Sequence, residues 1–163
     1  MTRPTCRTLA VVALTVLVRA GRLAGQGQNL GREFRVDAVT ARRSAIEGGL
    51  SIILPAGVYV RNSLTVAAGV ANRSAASSAA VGRAEILSRF LLDPFRESPY
   101  GLSVGGGVGF TNLVDGARWR PYLAAAIDLE LKAAGGFQPA VQLGLGGGAR
   151  LGVVLRKGSV RWR

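Results

Sequence analysis

The chain has 163 residues, with 21 Lys plus Arg, 9 Asp plus Glu, no His and one Cys. Without His there is no Ser-His-Asp or Cys-His relay and no His-built metal site, and a single Cys forms neither an internal disulfide nor a thiolate cluster. Apolar residues make up 48% and charged residues 18%, so the chain is too hydrophobic to be disordered. We therefore expect one domain without enzymatic activity, cofactor or metal.

Residues 1–27 have the pattern of a secretory signal peptide. Arg3 and Arg7 form a positive start, and residues 9–18 are an uncharged apolar core of ten residues. A transmembrane helix needs about 20 apolar residues, so a removable signal is favoured over an anchor. The small residues Gly25 and Gly27 both suit a cleavage site, and we expect cleavage after Gly27.

Removal of this segment also removes Cys6 and lowers the formal charge. The remaining 17 basic and 9 acidic residues give +8 instead of the +12 of the whole chain. These basic residues are spread along the sequence without a cluster or an aromatic stacking motif, so no nucleic-acid partner is expected.

From residue 44 onward, apolar and polar side chains alternate with a period of two, which is typical of β-strands with two unlike faces. In residues 119–132, for example, Ile127 and Leu129 lie on one face and Asp128 and Glu130 on the other. Six strands are predicted in this way, at residues 45–54, 58–70, 81–92, 100–112, 119–132 and 140–156. Residues 28–43 form an N-terminal segment in which residues 34–41 offer an additional strand, and a reversal at residues 146–148 would divide the last segment into two.

The connections between these segments are short, so neighbouring strands should pair antiparallel. The predicted fold is all-β, an up-and-down meander over residues 44–163 that closes into a small transmembrane β-barrel. Six strands are clear, and the two additions would give eight. The strand length favours the membrane over a soluble barrel, because a tilted membrane strand needs about 9–11 residues whereas soluble strands average about five or six.

The polar face carries charges of both signs in the middle of the strands, and we predict that they pair across a narrow lumen. The predicted network consists of Glu47, Arg61, Arg83, Glu85, Arg89, Asp128, Glu130, Lys132 and Arg150. Aromatic residues lie near the strand ends on the apolar face, as expected for contact with the membrane interface; they are Tyr100, Phe110 and Trp119. A soluble barrel would carry the same charges on its surface, so the signs of the charges do not decide between the two arrangements.

With a signal peptide upstream, strands of membrane length and a glycine-rich polar face, residues 44–163 resemble the small bacterial outer-membrane β-barrels of the OmpA/OmpX kind. The resemblance implies a location in the bacterial outer membrane, with outer-membrane lipid and the outer-membrane assembly machinery as partners. Members of that group usually end in an aromatic residue. This chain ends in Trp162-Arg163, so its aromatic residue is one position early.

Three functional hypotheses follow. The first is a non-enzymatic, porin-like barrel with a structural or interaction role and a lumen filled by side chains. The second is a soluble, lipocalin-like barrel that binds an apolar ligand. The third is a membrane-embedded enzyme. Asp128 and Glu130 are about 6.6–7 Å apart along a strand, which is similar to the spacing of paired carboxylates in glycosidases. Lys132 lies on the same face, however, and favours ion pairing over catalysis.

Overall fold

The structure, a computed structural model, describes residues 30–74, 77–95, 98–113 and 118–157. It contains eight strands: β1 (Gly31–Thr40), β2 (Ser44–Ala56), β3 (Val60–Ser74), β4 (Ser77–Leu91), β5 (Gly101–Thr111), β6 (Arg120–Glu130), β7 (Phe137–Leu145) and β8 (Ala149–Lys157). Each strand pairs antiparallel with the next, and β8 pairs with β1, so the sheet closes into a barrel. The predicted all-β meander is confirmed. No helix in the described ranges is long and apolar enough to cross a bilayer.

Both additional strands are present. β1 pairs with β2 along its whole length and with β8 from Arg32 to Thr40, so the barrel begins at Gly31 instead of at residue 44. The last predicted segment reverses at Gly146, Gly147 and Gly148, whose φ angles are 118°, 68° and 144°. Residues that carry a Cβ rarely adopt these positive φ angles, so the three glycines make the β7–β8 turn possible. The proposed signal peptide lies outside the described residues.

The alternation of apolar and polar residues in the sequence corresponds to an alternation of exposed and buried side chains in the strands. Every second residue of β1 is buried, and the residues between them are exposed. The same alternation continues around the barrel and places polar side chains inside and apolar ones outside. Ile53, Leu87 and Leu91 interrupt the pattern in the sequence, and they are buried within the barrel with relative exposures of 7%, 0% and 6%.

An even number of strands brings the start of β1 and the end of β8 to the same end of the barrel. We call this the terminal end; it also carries the connections β2–β3, β4–β5 and β6–β7. The other end, called the turn end, carries the connections β1–β2, β3–β4, β5–β6 and β7–β8.

The strands differ in length around the barrel, so the barrel wall is higher on one side than on the other. β3 and β4 have 15 residues each, whereas β7 and β8, on the opposite side of the barrel, have 9 each. With a rise of about 3.3 Å per residue and a tilt of about 45°, these lengths correspond to heights of about 35 Å and about 21 Å. The β3–β4 hairpin therefore extends farther, and the β7–β8 side is the low side of the wall.

Candidate functional site

Charged side chains of both signs line the lumen, in equal number among those that the structure describes. Among the described strand residues, the inward-facing charged side chains that are buried or half-buried are Arg35, Arg61, Arg83, Arg89, Arg150, Arg156, Glu33, Asp37, Glu47, Glu85, Asp128 and Glu130. Six arginines thus face six carboxylates, and the charges described in the lumen balance. Buried charges are tolerated when each has a close partner of opposite sign, and the contacts below supply those partners.

Arg156 is the centre of the charges nearer the terminal end. Its Nε lies 2.8 Å from Glu33 Oε2 and its Nη1 lies 2.6 Å from Glu130 Oε1, while Nη2 contacts Asp128. Glu33 and Arg156 are direct cross-strand neighbours of β1 and β8, so barrel closure creates this pair. Arg89 Nε lies 3.1 Å from Asp128 Oδ2, and Arg61 Nη1 lies 2.7 Å from Glu130 Oε1.

Nearer the turn end, Arg83 and Arg150 share Glu85. Arg150 Nη1 lies 2.8 Å from Glu85 Oε2 and Arg83 Nη1 lies 3.4 Å from the same oxygen. The Tyr122 hydroxyl donates a hydrogen bond of 2.9 Å to Glu85 Oε2. Arg83 Nε also lies 2.8 Å from Glu47 Oε2. These contacts join side chains of β2, β4, β6 and β8 across the lumen.

Arg35 connects the two groups of charges. Its Nε donates to Asp37 Oδ2 at 2.8 Å, and its Nη1 lies 3.6 Å from Glu33 Oε1. Asp37 in turn contacts Arg83, which belongs to the group nearer the turn end. The charged side chains therefore form one network along the lumen.

Inward-facing glycines provide the room for these long side chains. A Cβ at Gly144 would lie 2.8 Å from Arg150 Nε, and one at Gly105 would lie 2.9 Å from Arg89 Cγ. A Cβ at Gly152 would overlap the Asp37 carboxylate. The glycine-rich face seen in the sequence is thus the space that the charged side chains fill.

An apolar layer lies in the lumen above the charges at the turn end. It is formed by the buried side chains of Val39, Ala45, Ala71, Val81 and Leu113. Between this layer and the charges is a small cavity of about 10 Å³, which offers room for about one water molecule. We call the five residues the apolar plug.

Most of the predicted charge network is found inside the barrel. Seven of its residues are buried: Glu47, Arg83, Glu85, Arg89, Asp128, Glu130 and Arg150. Arg61 is half-buried at the terminal end. Asp128 and Glu130, considered as a catalytic pair, both contact arginines, so each carboxylate is neutralised.

Lys132 was wrongly included in the network. It is exposed, because β6 ends at Glu130 and the alternation of the sequence continues past the last paired residue. Four charged residues of the interior were missed, Glu33, Arg35, Asp37 and Arg156, and so was Gln142, which donates a hydrogen bond to Asp128. Period-two alternation over residues 31–40 carries the signal for the first three, and Arg156 continues the polar face of Arg150.

The three aromatic residues predicted at the strand ends are exposed. Tyr100, Phe110 and Trp119 have relative exposures of 57%, 51% and 47%. Phe110 and Trp119 lie at the turn end and Tyr100 at the terminal end, where further exposed aromatic residues are found at Phe34, Tyr59, Phe90, Phe95 and Phe137. Tyr59 stacks on Phe90 with a centroid distance of 5.8 Å. The two ends thus differ, and the terminal end is the more aromatic.

Within the described ranges, no group of three or more residues of the types His, Cys, Asp and Glu is placed to hold a metal ion. Comparison with protein-family models and with curated proteins finds no match.

The fold is similar to that of solved transmembrane β-barrels. The crystal structure of Neisserial surface protein A matches 81% of this chain and 97% of its own length, with a TM-score of 0.57 and 8% sequence identity. A de novo designed transmembrane β-barrel matches 81% of this chain and 96% of its own length, with a TM-score of 0.53 and 14% identity. The likeness is one of fold.

Proposed function

We propose that this chain is a non-enzymatic outer-membrane β-barrel protein of bacteria, exported through a cleaved signal peptide. In this proposal the barrel is an anchor with a structural or interaction role, and side chains close its lumen to solutes. Outer-membrane lipid and the outer-membrane assembly machinery are its general partners. The observation that carries the proposal is the distribution of side chains, with paired charges inside and apolar residues outside.

This distribution favours the membrane over water. Large apolar side chains are exposed along the outer face of the strands; Ile46, Leu50 and Ile86 have relative exposures of 63%, 61% and 58%. In water such a continuous apolar belt would drive association, whereas in a bilayer it contacts acyl chains. A lipocalin-like barrel needs the opposite arrangement, because its interior has to receive an apolar ligand.

The contents of the lumen favour an anchor over a channel. An eight-stranded barrel is just wide enough for its interior side chains. The charge network and the apolar plug occupy that space, and the cavity between them has room for about one water molecule. We therefore expect no general solute conductance from the isolated protein.

The carboxylates that are candidates for catalysis all face arginines. A catalytic carboxylate has to reach its substrate, whereas the oxygens of Asp128 and Glu130 contact guanidinium groups inside a lumen filled by side chains. Asp128 and Glu130 are therefore better suited to ion pairing than to proton transfer. This argues against the membrane-embedded enzyme considered from the sequence.

The test combines fractionation with conductance. The full-length chain is expressed in a bacterium with two membranes, and outer membranes are compared with the soluble periplasmic fraction. We expect a band in the outer membranes whose gel mobility in detergent changes on heating, and no steady conductance of the purified protein in planar bilayers. Recovery as a periplasmic protein that is stable without detergent, or a sustained channel current, would contradict the proposal.

A further inference from the structure

The low side of the wall has an apolar groove on its outer face. The groove extends over β5 to β8 and β1 and has a volume of about 770 Å³. The small residues Ala38, Ala125 and Ala149 contribute to its lining together with the larger Ile127, Leu143 and Leu151. The outer face of the barrel is therefore recessed along the same strands that form the low side of the wall.

The height of the wall brings polar lipid groups close to this groove. The strands β7 and β8 cover a height of about 21 Å, less than the apolar band of about 25 Å that is typical of outer-membrane barrels. A bilayer adapts to a short apolar span by thinning locally. Lipid headgroups beside the low side thus approach the end of the groove.

At the turn end, two basic residues follow a lining residue of the groove in the chain. Thr40 lines the groove, and Arg42 and Arg43 follow in the next connection, the first exposed and the second half-buried. The described residues of the turn-end connections include the basic residues Arg42, Arg43 and Arg118, while Asp115 of the β5–β6 connection lies outside the described residues.

The charge balance of the described side chains supports an anionic ligand. In the lumen, six described arginines face six described carboxylates. Of the other charged side chains that the structure describes, seven are basic (Arg32, Arg42, Arg43, Arg118, Arg120, Lys132 and Lys157) and one, Asp93, is acidic. Guanidinium groups bind phosphate oxygens through charge-assisted hydrogen bonds.

We propose that this groove binds one lipid with a phosphate headgroup, drawn from the surrounding bilayer. Its acyl chains lie in the groove on β6, β7, β8 and β1, and its phosphate contacts Arg42 and Arg43. A second copy of the chain is the less suitable occupant, because two barrels in one membrane would bring the same arginines together at the same height. The inference rests on the proposed membrane location.

The test uses native mass spectrometry of the full-length chain reconstituted in nanodiscs that contain equal amounts of phosphatidylglycerol and phosphatidylcholine. We expect the wild type to retain one lipid, with a preference of about tenfold for phosphatidylglycerol. Arg42→Ser combined with Arg43→Ser should abolish the preference. Ala149→Trp should fill the groove and abolish retention of the lipid.

Two matched controls separate the groove from the rest of the barrel. Arg32→Ser combined with Lys157→Ser removes the same charge from outward-facing neighbours at the terminal end and should leave the preference intact. Ala68→Trp adds the same side chain to an exposed alanine of β3, on the high side of the wall, and should leave retention intact.

Three results would refute the lipid site. The first is equal retention of the two lipids by the wild type, and the second is an equal effect of the turn-end and terminal-end charge variants on the preference. The third is a dimer mass that is lost in Ala149→Trp, which would show that a second copy of the chain occupies the groove. Folding of each variant is checked by its heat-modifiable gel band. If a variant does not fold, the wild type alone is titrated with phosphatidylglycerol, and retention has to saturate at one lipid. Failure of the wild type to enter nanodiscs would instead refute the membrane location.

Discussion

At the scale of the residue, the structure depends on buried arginines that each contact several carboxylates. Arg156 is the clearest case, because it contacts Glu33, Asp128 and Glu130. Replacing a whole buried ion pair by apolar residues is often neutral, but removing one partner leaves an uncompensated buried charge. The arginines are therefore the positions at which a single substitution has the largest cost.

Arg156→Met should lower the free energy of unfolding by about 3–5 kcal/mol, because it leaves three carboxylates without their shared partner. The measurement is urea-induced unfolding in detergent micelles, followed by the heat-modifiable band. Lys157→Met is the control; Lys157 is exposed and its Nζ lies over the Phe137 ring, 5.3 Å from the centroid, so the change should stay within about 1 kcal/mol. Equal effects at both positions would show that the interior charges do not stabilise the barrel.

The inward-facing glycines give a second prediction. Gly152→Ala should destabilise the barrel, because the added Cβ would displace the Asp37 carboxylate from its arginines. Gly48→Ala is the matched control; Gly48 faces outward on β2 and has no atom within 4 Å of an added Cβ. Unfolding midpoints of the two variants in urea should differ clearly, and coincident midpoints would contradict the packing described for the lumen.

At the scale of the element, the sequence predicted those strands whose boundaries are marked by turn residues. The three glycines at residues 146–148 correctly indicated the reversal between β7 and β8. The boundary between β1 and β2 carries Ala41, Arg42 and Arg43, which include none of the usual turn formers, and β1 was therefore recognised only as an additional strand. Alternation likewise does not indicate where pairing stops, which is why Lys132 was placed in the lumen.

The turn between β7 and β8 offers a test at this scale. Gly148→Ala should cost about 1–3 kcal/mol, because φ at Gly148 is 144° and its Cβ would lie 2.8 Å from the Thr40 carbonyl oxygen. Gly106→Ala, on the outer face of β5 with its nearest atom at 3.5 Å, is the control. Equilibrium unfolding of both variants is compared with the wild type. An unchanged Gly148→Ala midpoint would argue against a tight turn at this position.

For the molecule as a whole, the sequence predicts which charged residues lie on the polar face of the strands, but it does not predict which of them form ion pairs. Alternation assigned Asp128 and Glu130 to the polar face. Which arginines they meet depends on the register between strands and on the closure of β8 onto β1. Arg156 and Glu33 are 123 residues apart and become neighbours only through that closure. Residues of the first and last strands were therefore the ones most easily missed.

We expect the apolar outer face of the barrel to contact lipid while the charged side chains are enclosed in the lumen. The most direct test labels single cysteines introduced at Leu50 and Ile86 with bimane, in the full-length Cys6→Ser chain reconstituted in vesicles. Lys132→Cys, exposed in the β6–β7 connection, is the reference. We predict that spin-labelled lipid quenches the labels at positions 50 and 86 and that aqueous iodide quenches the label at position 132. Quenching of all three labels by iodide, with none by the spin-labelled lipid, would contradict the account.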